Sequence, residues 1–385
     1  MTPYIIIFLV ITAYFLNSIE EKEFRPITLG VIMIGLGLFV ACADMMGGYD
    51  RYVYGDLFDR LSMDMRRGYS IFDNLIFVLY PKEPGYIAIN VLIGFLTCNR
   101  YIFIFIFTMV VYVLILISML KYTNRSPIVV ILFLGLWFYF SFTYLRQVMA
   151  VSISWLAIEY AIKRKPWPFF TIILLAMSFH NAAILLAPIY FIPIKKANIP
   201  VVLLVMGICL YLGTTALPDR IFGTFGEITE DVQRAEKYMS ETDTSGFRWE
   251  YLLESVVFLT LILPKYKHFD ENNKGQIMML NLALIFCALL LLFINSENGG
   301  RIFWFFMIGL FSTLSYLVTR ERRFNLYGLS VILLCAVLFI RIQFAWGSLI
   351  RPYKSMFTNG HRDVDYIYRH YEYDKLYDQD HFYKL

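Results

Sequence analysis

The sequence predicts an all-α integral membrane protein whose helices form one polytopic bundle. Of its 385 residues, 59% are hydrophobic and only 17% are charged, whereas a soluble domain averages about 25% charged residues. Apolar runs close to the length of a membrane-spanning helix recur along the chain. The formal net charge of +4 is too small to indicate a nucleic-acid partner. The bundle itself is therefore the expected domain.

The apolar runs predict about ten transmembrane helices within residues 1–345. They lie at roughly 3–18, 27–43, 101–119, 127–141, 144–162, 199–216, 249–264, 276–294, 301–318 and 326–345. Two further apolar stretches, 85–97 and 168–192, fit a single crossing poorly, so we expect one or two re-entrant half-helices. Such a bundle is compatible with a GT-C-like fold. Residues 346–385 are too polar to span and form a C-terminal tail, expected to be an amphipathic helix on the bundle or partly disordered.

Basic residues orient the bundle. Lys163-Arg164-Lys165 is the densest basic cluster between spans, and cytoplasmic loops carry an excess of Lys and Arg. A single crossing by 168–192 would place eight basic residues of the later loops on the opposite side. A segment that dips in and returns, breaking near residues 178–181, keeps them with the cluster. We therefore expect a re-entrant hairpin, with Asn181 as the N-cap of its returning half.

This orientation collects the polar loops at the outer face. Both termini and the loops at about 44–100 and 217–248 fall outside, together with the short turn at 295–301. Acidic residues are frequent in the second loop, which agrees with an outer position. The candidate polar groups therefore converge on one face of the membrane.

Arg146 and His180 are the ionisable residues of greatest interest, because each lies inside a long apolar run. A charge at membrane depth is costly, and such a residue is a functional-site candidate by default. Arg146 also heads a stripe of small side chains at helical spacing, which predicts close helix packing and an inward-facing arginine. The alternative for each residue is structural: Arg146 could pair with a buried acid, and His180 could bridge two half-helices.

The cysteines give no sign of a metal site or a disulfide framework. All five lie in or beside apolar segments, with no Cys-x-x-Cys motif and no clustered histidine. We expect them to be small buried hydrophobic residues. The sequence accordingly predicts no metal and no cofactor.

Several short motifs resemble the EpsG family of bacterial polysaccharide polymerases, which are relatives of the Wzy-type polymerases. They occur in matching order over about residues 1–350. The motifs are Asp50-Arg51-Tyr52, Glu83-Pro84-Gly85-Tyr86, Leu145-Arg146-Gln147, the segment from Ala176 to Asn181, and Arg301 at the head of a late helix. The approach to Asp50 departs from the family pattern, so either Asp44 or Asp50 could be the matching acid.

The resemblance implies a glycosyltransferase in the bacterial plasma membrane that acts at its outer face. It would join undecaprenyl-diphosphate-linked repeat units into exopolysaccharide, capsule or O-antigen. Its expected partners are the lipid-linked glycan donor and acceptor and membrane lipid, together with a flippase and a chain-length regulator of the same pathway.

The reaction needs a base for the acceptor hydroxyl and cations or amide dipoles for the diphosphate. Arg146 and three candidate bases form the predicted catalytic set, which is Arg146, His180, Asp50 and Glu297. Polar and aromatic residues of the same motifs form the predicted binding set, which is Arg146, Gln147, Arg301, Asn181, Arg51, Tyr52, Glu83 and Tyr86.

Two other function classes stay open at this point. A flippase or transporter of lipid-linked oligosaccharide would also need an arginine in a cavity and broken helices. However, the one-sided polar groups and the lack of a convincing internal repeat favour an enzyme. A glycan ligase is separated from a polymerase by the family resemblance alone.

Overall fold

The computed structural model describes residues 2–21, 24–45, 50–218, 220–221, 246–296, 299–320, 323, 325–358 and 381–382. Over these residues the chain is helical, with no β-strand and one isolated antiparallel bridge between Ala43 and Ser355. The predicted all-α class is confirmed.

Most helices follow the predicted apolar runs, whereas the predicted outer loop at 44–100 is itself helical over Asp50–Arg67 and Leu75–Leu79. In chain order they are α1 (Thr2–Ser18), α2 (Pro26–Ala41), α3 (Asp50–Arg67), α4 (Leu75–Leu79), α5 (Pro84–Gly94), α6 (Arg100–Tyr122), α7 (Ile128–Leu136), α8 (Leu145–Ile162), α9 (Pro166–Met177), α10 (Ile199–Gly213), α11 (Trp249–Ile262), α12 (Lys274–Leu292), α13 (Met307–Thr319), α14 (Leu326–Ala345) and α15 (Gly347–Ile350). Short 3₁₀ helices connect some of them, at Ile71–Asp73, Phe138–Phe142, Asn181–Tyr190, Leu263–His268 and Gly299–Phe306.

Four helical segments of the described chain are long and apolar enough to cross a membrane, which makes this a membrane protein. They are Arg100–Tyr122, Lys274–Leu292, Gly300–Thr319 and Leu326–Ala345. Several shorter apolar helices accompany them.

Two predicted α-helices adopt 3₁₀ geometry over part of their length, next to aromatic residues. In the predicted span 127–141, α7 ends at Leu136 and a 3₁₀ helix begins at Phe138. Aromatic side chains lose rotamer freedom in an α-helix, and here they pack sideways, with the rings of Phe138 and Phe142 centred 5.3 Å apart. The predicted span 301–318 likewise starts as a 3₁₀ helix and becomes α-helical only at Met307.

The bundle has two ends with different chemistry, which we name by the two ends of α8. At the Arg146 end, α6 begins with Arg100 paired to Asp59 at 2.5 Å. At the Lys163 end, α6 finishes with Lys121 paired to Glu159, which also pairs with Lys163. Between the ends, the small-residue stripe of α8 is fully buried, as predicted from its spacing.

Residues 166–190 form a helical hairpin that returns to the place where it starts. Arg164, just before α9, donates to the backbone carbonyls of Tyr190 and Ile192 at the other end of the segment. Phe169 and Tyr190 pack with ring centroids 5.2 Å apart. The chain reverses between Met177 and Asn181, where the sequence predicts a break.

The predicted cap of the returning half is wrong by one residue. His180 rather than Asn181 is the N-cap, because its Nδ1 accepts from the backbone N–H of Ala182 at 3.2 Å. The imidazole nitrogen takes the place of the side-chain oxygen of Ser, Thr, Asp or Asn that usually accepts this hydrogen bond.

The described part of the C-terminal tail packs on the Arg146 end. The ring of Tyr353 stacks on that of Phe39 at 4.2 Å, and Lys354 pairs with Asp44 at 3.2 Å. His381 is fully buried beside the same carboxylate, with Nε2 3.5 Å from an Asp44 oxygen. Residues 359–380 of the predicted tail lie outside the described residues.

Candidate active site

Arg146 and Glu83 form a buried ion pair at the head of α8. Arg146 is 8% exposed and Glu83 is 3% exposed. Glu83 is held at the start of α5, where Pro84 occupies the first helical position. The Nε of Arg146 also donates to the Tyr54 hydroxyl at 3.2 Å. The cost of burying the guanidinium is thus offset by a carboxylate and a hydroxyl.

Three tyrosines surround the Arg146 guanidinium. Its carbon lies 4.0 Å from the ring centroid of Tyr80, 5.5 Å from that of Tyr54 and 5.7 Å from that of Tyr86. Cation–π attraction is strongest at desolvated sites of this kind. Tyrosine rings can also pack against sugar faces while their hydroxyls form hydrogen bonds.

Asp50 joins this group through Tyr54, whose hydroxyl donates to Asp50 Oδ2 at 3.3 Å. Asp50 is partly exposed at the start of α3. Its carboxylate can therefore be reached from outside the cluster. We use the name tyrosine cluster for Arg146, Glu83, Asp50 and the three tyrosines.

Asp44, the alternative acid, contacts Tyr101 and the C-terminal tail. It is 7% exposed and accepts from the Tyr101 hydroxyl at 2.7 Å. Burial alone would raise the pKa of its carboxyl, but the hydrogen bond with His381 and the charge of Lys354 outweigh burial and lower that pKa. The structure thus brings Asp50, and not Asp44, to Arg146.

Arg51 supports the backbone at this end. It is fully buried, and its guanidinium donates to the carbonyls of Phe142 at 3.2 Å, Val40 at 3.1 Å and Ala43 at 2.7 Å. Burial lowers its pKa to about 10. It ties the end of α2 to the 3₁₀ helix before α8, while its role in substrate binding stays a prediction.

Tyr52 faces a different neighbour from the tyrosines around Arg146. The guanidinium carbon of Arg100 lies 5.6 Å from its ring centroid. Arg100 in turn pairs with Asp59 within the buried side of α3.

The hairpin tip docks directly on the Glu83-Pro84-Gly85-Tyr86 motif. The backbone N–H groups of Gly85 and Tyr86 donate to the carbonyl of Ser178 at 2.9 and 3.1 Å. A Cβ on Gly85 would collide with the Ser178 side chain and lie 3.0 Å from the Phe179 ring. The close approach therefore requires glycine at this position. His180 and Asn181 follow at the tip, both half-buried.

Gln147 and Arg301 meet on the other side of the α8 head. Gln147 Nε2 donates to the Arg301 carbonyl at 2.9 Å. The Arg301 guanidinium donates to the Tyr144 hydroxyl at 3.2 Å and stacks 4.3 Å from its ring centroid. Glu297, the remaining catalytic candidate, lies outside the described residues.

A cavity of about 660 Å³ opens beside Arg301. Its wall carries two further arginines, Arg248 before α11 and Arg341 near the end of α14. Arg341 pairs with Glu254, which also lines the cavity, at 3.1 Å. We call this space the arginine cavity.

Sequence analysis missed Tyr80, Glu254 and Arg341. Arg341 carried a usable signal, since it is an ionisable residue inside the predicted span 326–345, just as Arg146 is inside its own. Tyr80 carried none, because only folding brings it to Arg146. Within the described residues, His, Cys, Asp and Glu form no group of three or more that could hold a metal ion.

The arrangement suits sugar chemistry on an anionic carrier. The tyrosine cluster offers carboxylates and hydroxyls to a glycan, and the neighbouring cavity offers guanidinium groups to an anion. The two regions meet at Tyr144, Arg146 and Gln147.

One family model matches the chain, over residues 27–355, and it describes the EpsG family. The match covers well over half of the 385 residues and includes all the described residues of the two regions above. No curated protein and no solved structure matches the chain.

Proposed function

This chain belongs to the EpsG family, and we propose on that basis that it is a membrane polysaccharide polymerase. Its substrates are repeat units carried on undecaprenyl diphosphate, and it joins them into a surface polysaccharide. The donor and acceptor glycans are its partners, alongside the lipid that surrounds it.

The observation that supports this proposal is the tyrosine cluster. Residues from α3, the start of α5 and the head of α8 converge on Arg146 at one end of the bundle. The Glu83 pair and the tyrosine rings hold the guanidinium in one position. Fixed polar groups of this kind are what transition-state stabilisation requires.

In the proposed reaction, a hydroxyl of the acceptor unit attacks the anomeric carbon of the donor glycan. The bond from that carbon to the carrier diphosphate breaks, and the diphosphate leaves with the electron pair. Asp50 takes the proton of the attacking hydroxyl, since its carboxylate is partly exposed while Glu83 is engaged by Arg146. Arg146 orients the acceptor glycan and stabilises the partial negative charge that forms on the attacking oxygen as Asp50 takes its proton.

We further propose that the chain crosses the bacterial plasma membrane about ten times, with the Arg146 end outside. The Lys163 end carries the basic loops, including Lys196, which pairs with Glu271 at 3.2 Å. The hairpin from α9 to Tyr190 then enters from the cytoplasmic side and returns to it. The contacts of Arg164 with the Tyr190 and Ile192 carbonyls support this path.

The test is to delete the gene in its host and to profile surface polysaccharide and lipid-linked precursors. Complementation uses wild type and Arg146→Gln, with Arg60→Gln as a matched control because Arg60 pairs at the surface of the same end. We expect the deletion strain and Arg146→Gln to accumulate single repeat units on the outer face without polymer, and Arg60→Gln to restore polymer. Accumulation on the cytoplasmic face would indicate a flippase instead. Full-length polymer that stays on its carrier would indicate a ligase.

A further inference from the structure

We propose that the arginine cavity binds the diphosphate of a polyprenyl-linked substrate, and that Arg341 closes its side entrance until the diphosphate displaces its carboxylate partners. The identity of the ligand rests on the proposed function. The site itself rests on the charge, the lining and the position of the cavity.

Charge separates the two regions of the candidate site. The tyrosine cluster combines one guanidinium with the carboxylates of Glu83 and Asp50, so its formal charge is negative. The described lining of the cavity carries three arginines against one glutamate, and a positive excess remains when Glu250, the second partner of Arg341, is included. A diphosphate is therefore attracted to the cavity, and a neutral glycan suits the tyrosine cluster.

The cavity is also amphipathic along its length. Arg248 and Arg301 lie at the Arg146 end of the bundle. Further from this end the lining becomes apolar and includes Phe286, Leu290 and Leu338. A charged headgroup attached to a hydrocarbon chain has this same division of polarity.

The proposed side entrance lies between α11 and α14, since side chains of both helices line the cavity. Arg341 on α14 reaches across to two carboxylates of α11, Glu254 at 3.1 Å and Glu250 at 3.4 Å. Apolar side chains close by on the outer faces of both helices are exposed, including Leu253 at 60% and Phe344 at 67%. This side of the bundle therefore faces lipid, and a carrier can enter while its hydrocarbon chain stays in the bilayer.

Arg341 is suited to act as a displaceable latch. Its side chain is 49% exposed, and ion pairs at such positions contribute little net stability. A diphosphate offers a guanidinium several charged oxygens in a bidentate arrangement. In the structure, Arg341 instead contacts one oxygen of each of the two carboxylates. Binding would turn Arg341 from the glutamates of α11 toward the cavity.

The filled cavity would place the leaving group next to the glycan site. Arg301 forms part of the cavity wall and contacts both Tyr144 and Gln147. These residues flank Arg146 in the first turn of α8. The bond between the anomeric carbon and the diphosphate, which breaks in the proposed reaction, would then lie beside the first turn of α8.

The experiment measures binding of undecaprenyl diphosphate, without sugar, to the purified full-length protein in detergent by native mass spectrometry. We expect Arg248→Gln and Arg341→Gln to weaken binding about tenfold each, as loss of one charge-assisted contact does. Glu254→Gln should instead tighten binding severalfold, because it removes a competitor for Arg341. Arg60→Gln, outside the cavity at the same end, should leave the affinity unchanged.

If Arg341 and Glu254 had only a structural role, their substitutions would not change the affinity for undecaprenyl diphosphate in opposite directions. Glu254→Gln that weakens binding or leaves it unchanged overturns the latch, even if Arg341→Gln fails to fold. If Arg248→Gln binds the carrier as wild type does, the cavity is not the diphosphate site. That result would leave the polymerase proposal intact when Arg146→Gln still abolishes polymer in the host. Conversely, undecaprenyl diphosphate could bind tightly in the arginine cavity while the deletion strain still makes normal polymer. That result would reject the polymerase proposal and support the diphosphate site.

Discussion

The buried pair of Arg146 and Glu83 predicts a strong energetic coupling between two residues that are far apart in sequence. We consider Glu83→Gln, Arg146→Gln and the double variant. Glu83→Gln keeps the shape of the side chain and removes its charge. It leaves the guanidinium inside the rings of Tyr54, Tyr80 and Tyr86 without its counter-ion.

The size of the effect follows from the burial of both partners. Side-chain exposure is 10% for Arg146 and 4% for Glu83, and opposite charges about 4 Å apart at an effective dielectric near 20 attract by about 4 kcal/mol. A glutamine keeps a hydrogen bond to the guanidinium worth about 1.5 kcal/mol. We therefore expect Glu83→Gln to lower the free energy of unfolding by about 2–3 kcal/mol. Arg146→Gln should cost about 3–5 kcal/mol, because it strands a buried carboxylate.

The assay is a double-mutant cycle on the free energy of unfolding in mixed micelles. The double variant should be less destabilised than the sum of the single variants, with a coupling energy of about 2 kcal/mol or more. Arg60 and Asp56 are the matched control, since their side chains are 60% and 37% exposed on α3 and should couple by only about 0.3–0.5 kcal/mol. A coupling for the buried pair no larger than that of the control would show that the two charges do not stabilise each other.

Two further predictions concern the supports of the site. Gly85→Ala should push the hairpin tip away from α5, which lowers the thermal midpoint of unfolding and abolishes polymer. The control Gly207→Ala should change neither, because a Cβ there meets nothing within 4 Å. Wild-type behaviour of Gly85→Ala would contradict the docking of the hairpin tip on α5. The C-terminal tail should detach at acid pH, because the contacts with His381 and Lys354 lower the pKa of Asp44 in the folded protein. The stabilisation of the docked tail by Asp44 is then complete above the ordinary pKa of its carboxyl, near 3.8. It is lost as the pH falls through the lowered pKa of Asp44 in the folded protein. Limited proteolysis of the tail across this pH range checks the prediction, and Asp44→Asn should release the tail at neutral pH; a tail equally protected in that variant would contradict it.

The sequence was informative where a single residue breaks a strong local rule. Arg146 stands out because a charge in an apolar run has few structural explanations, and its burial confirms the inward orientation. The break at residues 178–181 could be predicted from the distribution of basic loops, since a crossing would place them on both sides of the membrane. The positions of both features depend on local sequence and bilayer physics alone.

The contacts across the bundle could not be predicted in the same way. The partner of Arg146 is Glu83, and the residue closest to its guanidinium face is Tyr80, yet no local pattern distinguishes Tyr80 from an interfacial tyrosine. Arg51 was predicted to bind substrate because of its motif, and folding directs its guanidinium to hydrogen bonds with backbone carbonyls at the end of α2. Such roles depend on which helices pack together, and this information lies between segments rather than within them.

Polymerisation by the purified chain is the decisive test of the proposed activity. Wild type and Arg146→Gln are reconstituted in liposomes and supplied with the host's undecaprenyl-diphosphate-linked repeat unit, and the carrier-linked products are resolved by length. We predict a ladder of products longer than one repeat unit for wild type, together with released undecaprenyl diphosphate, and only the starting unit for a folded Arg146→Gln protein. Unchanged starting material with wild type would rule out the polymerase, and an equal ladder with Arg146→Gln would rule out a role for Arg146 in the reaction.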